Sequence, residues 1–546
     1  MRRPWARLFV ALACAAAVVG GSVVGGSVRS ASAHAGLEAS MPSANSVLEV
    51  GPAAIVLDFD EAIETPLTSV ALYDGEGTLF ALGPPAAGAD DTVVQVLLEG
   101  DSLVDGVYAV IWRVTSADGH VIDGAFSFQV GTAAVGSGQE LIDQVRSGSK
   151  AATVVNWWYG VARFLSVIGA ITLIGAGWWL VGGPAEILRR RRSRLVTVAC
   201  WLALLIGSVA AFALFSAQAV AGSLREAFDT DRWGDIATTQ TGRMVLLRAV
   251  LALGFGGLLA LRRHRAQSWW RATAVATGLL TLFTFSAAGH ANAQTPAALW
   301  VGVDLLHLVS ITVWIGGLLA LCLAHSTTFA QPAGEQMVRR FSLAASVCVP
   351  IVVATGIAQT LQLAGGLDDV TATDWGRLLL VKVTVVVALL AIAGVSRWLL
   401  HHDGVASIRR TVITEFAIGV VVIGISAGMV ALPPTPTVVA KPFETQLTSA
   451  GLIAVVSLGP GSVGANEVHV TVTPPGGSIT PVVAVTARVS LPAAGIPVSP
   501  VTLVQDGPNH YSGTVTLPRS GDWTFELVIQ ITEVDSALLK ATVPIP

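Results

Sequence analysis

The sequence predicts a multidomain membrane protein: an eight-helix transmembrane bundle lying between two extracellular all-β domains. Three observations carry that prediction. Of its 546 residues 53% are hydrophobic and only 12% charged, against about 25% charged in an ordinary soluble domain. The apolar excess is confined to residues 154–432, and the segments on either side alternate in the manner of short strands.

The chain begins with a targeting segment. Arg2, Arg3 and Arg7 precede an apolar run from Leu8 to Val19, and Ala31-Ser32-Ala33 offers a small-residue cleavage site, so residues 1–33 read as a secretory signal. Cleavage would leave His34 as the first residue. Cys14 does not make this a lipoprotein leader, because Ala11-Leu12-Ala13 lacks the large apolar residue expected three positions earlier. The remaining cysteines, Cys200, Cys322 and Cys348, sit in apolar runs and have no zinc-knuckle spacing.

Eight apolar runs approach the ~20 residues that cross a bilayer. They lie near 156–180, 195–219, 242–261, 269–289, 298–324, 341–363, 378–398 and 412–432. If residues before 154 are outside, the inner loops and adjoining helix ends hold 14 arginines, including Arg189 to Arg192, and the outer ones only Arg225, Arg232, Arg243 and Arg377. That bias is the positive-inside pattern. An even count then places both terminal domains on the extracellular or periplasmic side of the cell membrane.

Before the bundle, Ile55 to Asp60 and Tyr108 to Val114 are β-rich runs separated by Gly, Pro and Asp turn signals. After it, Pro433-Pro434-Thr435-Pro436 stops the last helix. Strand-like runs then recur near 467–472, 482–489, 513–517 and 523–529. The expected organisation is a leader (1–33), a β domain (34–132), a linker (133–153), the membrane domain (154–432), a second linker (433–445) and a C-terminal β domain (446–546).

The total charge of −4 argues against a nucleic-acid binder, which needs a basic face. It also conceals a polarity: residues 34–150 hold 17 acidic side chains against Arg113, Arg146 and Lys150, a net of −14. Such a field collects cations. The domain has two histidines, His34 at the expected new terminus and His120 in Ser116-Ala117-Asp118-Gly119-His120. A terminal His chelates through its amine and ring together. Asp118 and His120, two apart, share a side of an extended strand. Amine, two imidazoles and a carboxylate form a tetragonal N/O set suited to Cu(II); nickel and zinc fit the same donors.

His34-Ala35-Gly36-Leu37-Glu38-Ala39-Ser40-Met41-Pro42, Val56 to Glu61, and Trp112 to His120 followed by Gly124-Ala125-Phe126-Ser127-Phe128 resemble the copper-resistance protein family CopC. The resemblance implies a cupredoxin-like or immunoglobulin-like sandwich holding Cu(II) at His34, Asp118 and His120. A methionine-rich Cu(I) site is not expected, since Met41 is the domain's one methionine. The membrane portion resembles CopD through Gly289-His290, Asp304-Leu305-Leu306-His307 with Val313-Trp314-Ile315-Gly316-Gly317, and Gly376 to Lys382. Such fusions look like copper importers of the YcnJ type. The tail, through Gly507 to Tyr511 and Gly521 to Phe525, looks like a YtkA-like domain of immunoglobulin type.

Within the membrane, His290, Asp304 and His307 are the candidate metal path. Asp304 and His307, three apart, share a helix face, about 9 and 14 Å from the outer start of their helix. Arg163, Arg248 and Lys382 are the groups that could instead neutralise Asp304. Cys322, Met337, Cys348 and Met429 read as packing, and His401 and His402 as a solvated loop. His469 and His510 are isolated in the sequence and carry no site expectation.

The expected function is therefore capture of Cu(II) outside and its passage to the bundle, for copper import or copper resistance, without enzymatic activity. No P-loop is present, so no nucleotide partner is expected. The alternative is a haem-binding or copper-dependent redox membrane protein, since paired histidines also serve those cofactors.

Overall fold

The computed structural model describes residues 37–545 except for 132–140, 143–150, 220–222, 325–330, 364–369, 371–372, 403–408, 430–442, 474–481 and scattered single positions, Asp118 and His120 among them. The expected leader and His34 also lie outside the described residues. Two compact units are formed. One is built around the helices within 149–436, the other around the strands within 36–114, 123–148 and 437–546.

All eight apolar runs are helical: α1 (Ala151–Val181), α3 (Arg191–Ala219), α5 (Gln240–Ala260), α6 (Ser268–Ser286), α8 (Ala297–Leu323), α9 (Pro332–Leu363), α10 (Asp374–His402) and α11 (Arg409–Met429). Among them lie the shorter α2 (Ala185–Arg189), α4 (Thr230–Thr238) and α7 (His290–Ala293). Seven of the eight are long and apolar enough to cross a membrane; α6 is the one that is not. Its 19 residues include Trp269, Trp270, Arg271 and four threonines, which dilute Leu279, Leu280 and Phe283. Side-chain oxygens start several helices: Asp229 accepts from the Asp231 amide before α4, and Thr239 from the Gly242 amide before α5. Thr373 accepts from the Gly376 amide at the start of α10. Each such cap satisfies a donor that the helix cannot.

The bundle centre depends on small residues. Gly175 of α1 meets Gly316 of α8 so closely that a Cβ on Gly316 would stand 2.3 Å from the Gly175 Cα. In lipid, where burial alone does not pull helices together, such approach supplies the packing attraction. Trp179 donates to the Val313 carbonyl beside this crossing (2.9 Å). Ile171, Trp314, Leu318, Phe341 and Cys348 fill the surrounding core. Helix α9 contains Pro350 in its interior.

The N-terminal domain is a sandwich. One sheet runs β1 (Leu37–Met41), β3 (Ala54–Phe59), β7 (Val93–Leu97) and β6 (Ala86–Ala87). The other runs β2 (Val47–Leu48), β9 (Val121–Val130), β8 (Gly106–Thr115), β4 (Ser69–Tyr73) and β5 (Leu79–Phe80). Alternation decides which side chains enter: Ile55, Leu57 and Phe59 of β3 are buried and their neighbours are less so. Phe59 meets Trp112 edge-on (5.3 Å), and Tyr108 stacks on Phe128 (5.5 Å). Gly124 makes room for this core, because a Cβ there would fall 2.2 Å from Trp112 Cζ2. The Tyr108 hydroxyl donates to the Val104 carbonyl four residues upstream (2.7 Å), the bond of a tyrosine corner.

The C-terminal domain is a second sandwich. Its sheets run β10 (Phe443–Ser449), β11 (Leu452–Gly459), β12 (Gly464–Thr473), β16 (His510–Leu517), β15 (Leu503–Gly507), and β14 (Ile496–Val501), β13 (Ala484–Leu491), β17 (Gly521–Gln530), β18 (Ser536–Ile545). Trp523, Phe525, Leu527 and Ile529 on β17 project into a core shared with Val468, Val470 and Val472 of β12.

Candidate functional site

One group of polar residues gathers where α8 packs on α9. Positions 355, 359 and 362 of α9 fall on one face at spacings of four and three. They carry Thr355, Gln359 and Gln362, each bonded to a polar partner. His307 Nδ1 lies 2.7 Å from Thr355 Oγ1. Gln359 Nε2 donates to Asp304 Oδ1 (3.0 Å), and Gln362 Nε2 to Gln294 Oε1 (2.8 Å). Three side-chain bonds thus climb about 10 Å of helix, through surroundings where each unsatisfied polar group would cost several kcal/mol.

Thr355 Oγ1 also lies within hydrogen-bond reach of the Ile351 carbonyl (2.6 Å). When its one proton goes to that carbonyl, the hydroxyl accepts from His307 Nδ1, and Nε2 then keeps its lone pair, the form in which imidazole binds a metal. Gly356 follows Thr355 on α9, and a Cβ there would stand 3.6 Å from His307 Cε1.

Asp304 and His307 do share a face, as their spacing predicts. The three proposed neutralising groups divide. Arg248 is committed elsewhere, donating through Nε and Nη2 to the Oγ1 and carbonyl of Thr284 (both 2.9 Å), with its guanidinium 3.5 Å over the Phe285 ring. Arg163 lies over Tyr159. Lys382 of α10 acts electrostatically on both Asp304 and His307, yet Asp304 forms no salt bridge among the described residues. His290 opens α7, and Trp300 and Val303 of α8 pack with Ala291 of α7 and Ala358 of α9.

The uncharged members of this ladder, Gln294, Thr355, Gln359 and Gln362, were not singled out by sequence reasoning. Their signal was present as a polar stripe at helical spacing within an apolar run. The sulfur residues behave as expected of packing: Met337 and Cys348 belong to the central core and Met429 to a smaller one. His402 stacks on Trp398 at an exposed position (4.5 Å).

In the N-terminal sandwich, His34, Asp118 and His120 lie outside the described residues. Of their neighbours, Gly119 is described: its amide donates to the Ser116 carbonyl (2.8 Å) and its φ is 83°. That left-handed backbone favours glycine. Arg113 and Asp123 pair across the flanking strands at 3.3 Å. Among the described residues no group of three or more His, Cys, Asp or Glu is arranged to hold a metal ion.

A correction concerns the tail. His469 and His510 are adjacent, with stacked rings 5.4 Å apart. The β12–β16 register, which opposes His469 to Ser512 and Thr471 to His510, puts them on neighbouring positions of one face.

Comparison with known proteins matches residues 37–131 to the family model described as CopC domain. Residues 153–299 match "Copper resistance protein D-like, N-terminal domain", and residues 335–429 match "Copper resistance protein D". Copper transport protein CutJ of Bacillus subtilis is 27% identical over 466 residues, covering 81% of this chain and 82% of CutJ. Protein YobA of Escherichia coli is 33% identical over 98 residues, which is 18% of this chain and 79% of YobA. Among solved structures, CopC from Methylosinus trichosporium OB3b is 26% identical and covers 19% of this chain and 100% of that one, with a TM-score of 0.17. PcoC from Escherichia coli is 29% identical, covering 18% and 98%, also with a TM-score of 0.17.

Proposed function

Because the chain is a fusion of a CopC domain with a copper resistance protein D membrane region, we propose that it captures copper outside the membrane and passes the ion into the bundle at His307. The protein is a multi-pass membrane protein of copper uptake or resistance. In this reading His34, Asp118 and His120 hold Cu(II) in the outer domain, whose −14 charge raises the local cation concentration. The amine of His34 becomes available on removal of residues 1–33. In this reading α6 is an eighth span and both sandwiches face the outer side, which the arginine bias supports. The YtkA-like resemblance of residues 446–546 belongs to the same reading.

The observation that carries the bundle's role is the 2.7 Å contact of His307 Nδ1 with Thr355 Oγ1. Thr355 holds Nδ1 and orients the ring, the part an outer hydrogen-bond partner plays for a metal-binding histidine. Nε2 is left to accept the ion. Asp304, held by Gln359, brings a carboxylate one helical turn away, and its negative charge offsets the cost of bringing a cation into the membrane. His290 stands at the mouth of this path.

The test is copper uptake into proteoliposomes. We expect His307→Ala to abolish net flux, and Thr355→Val, which removes only the bond to Nδ1, to reduce it about 10- to 100-fold. Flux equal to the parent in His307→Ala would overturn the path.

A further inference from the structure

We infer that His469 and His510 form a second copper site, on the C-terminal sandwich, which binds Cu(I) through two imidazole nitrogens. The inference goes beyond capture and uptake, because it concerns a domain to which those steps assign no ligand.

On β12, Val468, Val470 and Val472 point into the sandwich core. Residue 469, between them, must point out. Its ring is nevertheless only 6% exposed, and that of His510 only 4%. Both His469 nitrogens are buried and neither makes a hydrogen bond among the described residues. Burying a polar group without a partner costs about 1–3 kcal/mol, and that cost is removed if a nitrogen binds an ion. Glu467, next on the same face, brings Oε2 to 3.7 Å from His469 Nε2, and its Oε1 accepts from Ser43 (3.0 Å).

The spacing suits one shared ion. Two imidazoles on a single metal, with metal–nitrogen bonds of about 2 Å, place their ring centres roughly 6 Å apart. The rings here are at 5.4 Å with planes 23° apart. Rotation of the two rings about their side-chain torsions is what would turn one nitrogen of each toward a common ion; the strand register already supplies the spacing. His510 is fixed from behind by Asn509. That residue adopts φ 58°, and its side-chain oxygen accepts from the Val482 amide (2.8 Å) while its carbonyl accepts from Val472 (2.8 Å).

The oxidation state follows from burial and ligand count. Desolvating an ion costs energy that rises with its charge, so a buried pair of neutral imidazoles favours the monovalent ion. Imidazole is a good copper ligand, and two such donors suffice for Cu(I). A divalent ion would call for the fuller N/O set proposed at His34, Asp118 and His120.

The experiment is an anaerobic Cu(I) titration of the full-length protein in detergent against a chromophoric chelator, on a background carrying His34→Ala, His120→Ala and His307→Ala. We expect one tightly held equivalent on that background, lost in His469→Ala and in the milder His510→Gln. X-ray absorption of the loaded background protein should show imidazole scattering around copper, a readout independent of whether either variant folds. A background protein that binds no Cu(I), or one whose equivalent survives both substitutions, overturns the site. Uptake by the parent and by His307→Ala is measured separately, so failure here leaves the transport reading standing.

Discussion

The two sandwiches share an architecture of four strands against five and differ in where they put their chemistry. In the N-terminal sandwich the proposed ligands are, by sequence, His34 at the expected new terminus and Asp118 and His120 on either side of Gly119, and the domain is strongly acidic. In the C-terminal sandwich residues 446–546 carry six acidic and three basic side chains, and the two histidines sit within strand positions on a covered face. Loops tolerate close approach by a ligand while the sheets hold them still. Side chains on strand faces are held more rigidly. If both proposed ligand sets hold copper, one fold presents a metal site for exchange or for retention, depending on which part of the strand bears the ligands.

The largest effect that would break this comparison is at the outer terminus. His34→Ala, or a chain whose leader is retained so that the amine is blocked, should weaken Cu(II) affinity at least about 100-fold, measured by competition titration; His469→Ala should leave that affinity unchanged. Equal losses in both would merge the two sites into one. Next comes core packing. Gly124→Val would drive a side chain into the Trp112 ring and should cost about 3 kcal/mol, read as a shift in the denaturation midpoint of the N-terminal sandwich alone.

The smallest effect separates two tyrosines. Tyr108 donates to Val104, whereas the Tyr511 hydroxyl is buried with no hydrogen-bond partner among the described residues. Tyr108→Phe should cost about 1 kcal/mol and Tyr511→Phe should be neutral or stabilising. Burial pushes both phenols above their ordinary value of 10.0. The folded state then holds its proton more tightly than the unfolded chain, so their contribution is fully present below pH 10 and is lost as pH rises further. A parent whose alkaline unfolding is unmoved by the double Phe variant would show that these phenols do not set it.

Much of the architecture was legible because hydropathy and alternation are local signals. The strand runs around Val56, Ile111, Val470 and Leu527 all fall within observed strands, and every apolar run became a helix. The misreadings arise where neighbours are supplied by folding. His469 and His510 are far apart in sequence, and only the β12–β16 register joins them. Arg248 offered a charge for Asp304, but Thr284 and Phe285 claim it. Gln359 and Thr355 escaped notice because uncharged polar residues barely perturb an apolar helix in hydropathy. Gly119 could have signalled a non-extended backbone at its own position, since its value lies in positive φ as much as in small size.

Pro350 gives the polar ladder a mechanical setting. It has no amide proton, so the Ser346 carbonyl loses its helical donor just below the turn that begins at Ile351. A rod with one missing rung bends there at less cost than anywhere else along its length. The segment of α9 after Pro350, with Thr355, Gln359 and Gln362, is thereby joined through the helix's weakest rung to the segment packed in the core around Phe341 and Cys348.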